Sequence, residues 1–117
     1  PSALITSEVK YGNGFHLSPM SQISPFTTIG KFVVINRSVS IGHHNTIEDF
    51  VTINPGVNIA GCCWIKENTI IGMGTTILDK VTIGKNTIIG AGSVVTREIP
   101  DNVIAYGSPA KIIRENK

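Results

Sequence analysis

From Ile5 to Val95 a large or branched apolar residue returns at every sixth position, through Tyr11, Leu17, Ile23, Ile29, Ile35, Ile41 and onward, without one slip of phase. A period of six matches neither the 3.6 of a helix nor the simple alternation of a strand, so the pattern is a repeat architecture. Four places after each of these residues stands a mostly small or β-branched one, such as Thr27, Val33, Val51, Thr69 or Val81. Such residues suit short extended segments. Glycine often follows the large apolar residue, as at Gly30, Gly42 and Gly72, where a close turn is expected. Charges fall mainly on the third place, at Lys31, Arg37, Asp49, Glu67, Asp79, Lys85 and Arg97. Each hexad therefore predicts a short strand and a tight corner, and three hexads predict one triangular coil. The expectation is an all-β parallel solenoid over residues 1–100, about five coils and about 25 Å tall at a stacking distance of about 4.8 Å. Residues 101–117 leave the period and are expected to cap the top coil, with a helical turn near Lys111 to Arg114.

Composition changes this picture little. The chain has 117 residues and a formal charge of +2, too weak to suggest nucleic acid, and its basic residues form no stripe with interleaved aromatics. A single small domain has a modest core, which favours association of such solenoids. No apolar run is long enough to span a bilayer and no signal-peptide pattern is visible, so neither a membrane nor export is expected. Cys62 and Cys63 are adjacent, which is unsuited to an ordinary structural disulfide, and a reducing, cytoplasmic location is the expectation. Pro1 in place of methionine suggests processing or a domain taken from something longer.

The hexads, together with Ile41 to Cys63 (IGHHNTIEDFVTINPGVNIAGCC) and the closing Tyr106-Gly107-Ser108-Pro109-Ala110-Lys111, resemble the hexapeptide-repeat acyltransferases. Within them the chain is most similar to the sialic-acid and bacillosamine type of sugar O- or N-acetyltransferase. The resemblance covers essentially the whole chain and implies a left-handed parallel β-helix, a homotrimer with sites between subunits, and acetyl-CoA as acyl donor.

His43 occupies the third place of its hexad, at a corner, and the resemblance implies that it is the general base. Acyl transfer from a thioester requires the nucleophile to lose a proton, and imidazole is suited to accept one near neutral pH. The alternative is a solvated corner histidine. Gly61 lies one coil above His43 at the same corner. Its N–H could stabilise the oxyanion of the tetrahedral intermediate, or it could serve only as a turn residue. His44 departs from the acidic residue that usually follows the base in this family, so either Glu48, Asp49 or Asp79 supplies the charge, Asp79 from two coils above, or the base is weaker. Asn45 puts an amide on a lumen position, where it must find partners and could brace the His43 corner.

The resemblance also implies that Asn36 contacts substrate and Thr52 acetyl-CoA, although Thr52 replaces a frequent histidine. Met73, Gly74, Ala91 and Gly92 form a second corner, flat and free of charge, suited to the pantetheine arm. Lys111 and Arg114 could meet the CoA phosphates or be a solvated basic tail. His16, His43 and His44 do not fall where they could converge on zinc, so no metal is expected.

The reading is an acetyl-CoA-dependent sugar acetyltransferase in which His43 deprotonates an amino or hydroxyl group of a nucleotide-linked sugar for direct attack on the thioester. The competing reading is a non-catalytic trimeric scaffold, or the isolated carboxy-terminal domain of a larger sugar acetyltransferase.

Overall fold

A computed structural model describes residues 4–5 and 8–117, and Pro1 lies outside them. Every hexad from Leu4–Ile5 to Val94–Val95 forms a two-residue strand, and each strand as far as Thr76–Ile77 pairs in parallel with the one eighteen residues on: Asn58 faces Thr76 and Ile59 faces Ile77. Three sheets result, one per face of a triangular prism. The first runs from Leu4–Ile5 to Val94–Val95, the second from Lys10–Tyr11 to Thr82–Ile83, and the third from His16–Leu17 to Ile88–Ile89 and on into the carboxy-terminal strands.

The sixth-position residues point into the lumen. Ile35, Ile41, Ile53, Ile65, Ile71, Ile83 and Ile89 have no measurable exposure, which at about 25 cal/mol per Å² of apolar area makes their stacked columns the main source of cohesion. The columns open at the bottom, where Ile5 and Tyr11 are exposed and Leu17 only half-buried, because no coil covers them.

The corners share one backbone device. The residue in the fourth place of each hexad from Tyr11 to Ile89 is in the left-handed region, including Met20, Phe26, Phe32, His44, Phe50, Cys62, Lys80, Gly74 and Gly92, at φ between +51° and +75° for the series. That conformation is costly for bulky side chains but turns the N–H toward the coil below. His44 N–H donates to Pro25 O at 3.1 Å, Phe50 N–H to Lys31 O at 2.9 Å, and Gly74 N–H to Pro55 O at 2.9 Å. Each corner is thereby pinned in register to the next.

Polar lumen residues obey a second rule. Ser21, Asn45 and Thr69 each donate to a carbonyl fifteen residues ahead and accept an N–H eighteen residues ahead, stapling one coil to the next from inside. Asn45 is thus one of a class.

The end of the chain departs from expectation. Residues 111–114 form no helical turn; Val103–Gly107 and Ala110–Glu115 make an antiparallel hairpin. Its first strand pairs in parallel with Ile88–Ile89, so the hairpin extends the third sheet by two strands. The alternation of Val103, Ala105 and Ala110 inward with exposed neighbours favours strand over helix, and the register with the coil beneath decides it. The molecule measures 38 × 23 × 21 Å, longer than the coils alone because of these strands.

Candidate active site

The His43 corner joins the first and second faces and stacks Pro25, His43, Gly61, Asp79 and Arg97 in its third-place column. His43 is exposed, and its ring lies directly below Gly61: a Cβ placed on Gly61 would meet His43 Cε1 at 3.3 Å and Nδ1 at 3.5 Å. The two residues are brought together as the eighteen-residue spacing implies.

Asn45 fixes this corner from within. Its amide donates to Gly42 O at 2.7 Å and Ala60 O at 2.9 Å, while its Oδ1 accepts from Cys63 N–H at 2.7 Å. The residues flanking His43 and those flanking Gly61 are therefore held by one buried side chain. An unsatisfied group here would cost about 1–3 kcal/mol, so the amide belongs where two coils must keep a fixed distance.

The Phe50 corner provides a contrast that the sequence pattern does not reveal. There the third-place amides are capped by acids: Lys31 N–H donates to Asp49 Oδ1 at 2.8 Å, Glu67 N–H to Glu48 Oε1 at 3.0 Å, and Lys85 N–H to Asp101 Oδ1 at 2.9 Å. Glu48 also accepts from Trp64 Nε1 at 2.6 Å. At the His43 corner no acid plays this part, and among the described residues the Gly61 N–H donates to nothing. An open backbone donor one coil above an imidazole is an arrangement able to receive a developing oxyanion.

Where a carboxylate was expected beside His43, a histidine stands instead. His43 Nδ1 and His44 Nδ1 are 2.9 Å apart, and no carboxylate bonds either ring among the described residues. Glu48 and Asp49 are committed to the Phe50 corner, and Asp79 stays two coils away. The expectation of acidic support from these residues is therefore corrected. The signal was the departure at His44 itself.

The remaining candidates gather elsewhere. Met73, Gly74, Ala91 and Gly92, with Arg37, Ser38, Pro55 and Gly56, line an open groove on the corner between the first and third faces. A Cβ at Gly74 or Gly92 would meet nothing within 4 Å, so the wall is flat and accessible. Asn36 belongs to this corner, its Nδ2 donating to Ile53 O at 3.2 Å, and Thr52 lies on the third face. Within one chain none of these adjoins His43. Lys111 and Arg114 are exposed on the last strand, and Lys111 lines a cleft with Arg97, Glu98 and Ile112. Among the described residues no group of three or more His, Cys, Asp or Glu side chains could hold a metal ion, and no helix is long and apolar enough to cross a membrane.

A family profile described as bacterial transferase hexapeptide (six repeats) matches residues 46–79 and 62–97. The chain is a hexapeptide-repeat protein. Among solved structures this hexapeptide-repeat chain is similar to the acetyltransferase domain of PglB from Neisseria gonorrhoeae FA1090 in complex with acetyl coenzyme A, at TM-score 0.95 and 27% identity over 97% of this chain and 55% of that one. It is also similar to perosamine N-acetyltransferase from Caulobacter crescentus, solved as a histidine-to-asparagine mutant with CoA and GDP-perosamine, at TM-score 0.96 and 33% identity over 98% of this chain and 55% of that one. WeeI from Acinetobacter baumannii AYE matches at TM-score 0.92 and 34% identity, over 96% and 55% respectively. The chain thus spans about 55% of the length of these proteins. No curated protein sequence matches it.

Proposed function

We propose that the protein transfers an acetyl group from acetyl-CoA to the amine of a nucleotide-linked amino sugar. The observation that carries this is the juxtaposition of His43 with the open Gly61 N–H one coil above. The likeness to an acetyltransferase domain solved with acetyl coenzyme A, and to a perosamine N-acetyltransferase solved with CoA and GDP-perosamine, supports the choice of donor and acceptor. Two solved forms of the latter carry a replacement of the same histidine.

In this reading the acceptor nitrogen attacks the thioester carbon while its N–H proton passes to His43 Nε2. The carbonyl oxygen becomes an oxyanion facing the Gly61 N–H. The C–S bond then breaks, and the proton held by His43 leaves on the thiolate as the free thiol. No acyl-enzyme is required.

The Gly74 corner would be the wall for the pantetheine arm, with Lys111 and Arg114 for the phosphates and Asn36 and Thr52 as contacts to acceptor and donor. Because the Gly74 corner, with Asn36, and His43 lie on different corners of one prism, the reading requires a second copy to complete each site, and a closed ring of three is the assembly proposed. The enzyme proposed is cytoplasmic and takes no metal.

The test is release of free thiol from acetyl-CoA in the presence of nucleotide-linked amino sugars. The His43→Ala variant is expected to lose about 100-fold or more in turnover. Undiminished turnover would remove His43 from the mechanism, and absence of both turnover and CoA binding in the parent protein would favour a scaffold.

A further inference from the structure

The contact between the two adjacent histidines specifies which nitrogen of His43 is available. Two Nδ1 atoms at 2.9 Å can share only one proton, since two N–H groups would collide and two lone pairs would repel. His43 can offer a lone pair at Nε2 only if its own Nδ1 carries that proton and donates it to His44. His43 Nε2 has no other partner among the described residues.

His44 is itself held. Its backbone is left-handed at φ +59°, its N–H is pinned to Pro25 O at 3.1 Å, and its ring stacks on Phe26 of the coil below, with centroids 5.0 Å apart and planes 28° from parallel. The His43 ring meets it edge-on at 90°. Cys62 takes the same place one coil above and Lys80 the place above that.

We propose that His44 is a positioning residue which, clamped on Phe26, accepts the Nδ1 proton of His43 and thereby locks His43 in the tautomer whose Nε2 is the base. This rests on the reading of His43 as the base. A neutral imidazole in this role fixes orientation and tautomer without adding a negative charge beside the base. An isolated neutral imidazole favours the proton on Nε2, so removing the acceptor should release the lock.

The experiment is long-range 1H–15N correlation on the 15N-histidine-labelled full chain, without substrate and above the pH at which the rings protonate, paired with kinetics. In the parent protein His43 is expected as the Nδ1–H tautomer. In His44→Phe, which keeps a ring to stack on Phe26, it should revert to Nε2–H, and kcat should fall about tenfold or more with KM for acetyl-CoA unchanged. His44→Asn tolerates the left-handed backbone, offers an acceptor oxygen, and should restore both the tautomer and most of kcat. An Nδ1–H tautomer that persists in His44→Phe, or a kcat unaffected by that substitution, overturns the proposal. Because the tautomer is read without turnover, its loss remains interpretable even if His43→Ala proves active, which would defeat the functional reading alone.

Discussion

At the residue scale, Cys63 shows how the lumen treats a titratable group. Burial pushes its thiol above the ordinary range, opposed only partly by backbone donors from Val81 and Lys80, and Asp79 and Cys62 push the same way. A thiol whose folded pKa is raised stabilises the fold at pH below the unfolded thiol's pKa, and that contribution is lost as pH rises through the folded value. Unfolding midpoints in urea are therefore expected to fall above about pH 9, more steeply for the parent than for Cys63→Val. The neighbouring Cys62 is exposed, so a thiol reagent should modify one cysteine in the native protein and both in denaturant. Asn45 is the other decisive lumen residue. Asn45→Ala leaves Ala60 O and the Cys63 N–H without partners, while Gly42 O keeps Thr27 Oγ1, and is expected to cost about 3 kcal/mol by urea denaturation. Gly61→Ala presses on the His43 carbonyl and ring by a few tenths of an ångström and should lower kcat about tenfold.

At the element scale, a two-residue strand has almost no stability of its own, and its neighbours above and below supply it. The glycine following the apolar residue belongs to this economy: a Cβ on Gly72 would meet Ala91 N at 2.5 Å and Ile89 O at 2.7 Å. Gly72→Ala is therefore expected to destabilise by about 1–3 kcal/mol in thermal or urea melts, since backbone is what must move. Here the limits of the sequence are visible. The period of six gave the lumen columns, the corner place of His43 and its distance from Gly61, because each depends only on counting. The hairpin at residues 103–115 was not legible, as strand and helix compete over a short segment and the third sheet's edge settles the choice. Nor could counting show that Glu48, Asp49 and Asp101 cap amides at one corner while another stays open. That depends on rotamers reaching across coils.

At the scale of the whole molecule, the separation of the His43 corner from the Gly74 corner makes association part of the function proposed. Light scattering is expected to give about three times the mass of the 12.5 kDa chain, and dilution to monomer should abolish turnover without unfolding the coils. A monomer active at its full rate would contradict a site shared between copies. The exposed lower rim at Ile5 and Tyr11 and the hairpin's Ile112 and Ile113 mark opposite ends of the prism as different surfaces, so copies have reason to align side by side in one direction.

The common eighteen-residue register carries a consequence for how such a chain can change. One inserted residue inside a strand would turn every later lumen side chain outward, whereas a whole extra coil between Ile65 and Ile83 would leave every hydrogen-bonding rule intact. It would lift the hairpin, with Lys111 and Arg114, by about 4.8 Å relative to His43. The distance from His43 to the basic tail is thus adjustable only in discrete steps, as on a ratchet, and under the function proposed the coil count between them would gauge the length of molecule the groove can hold.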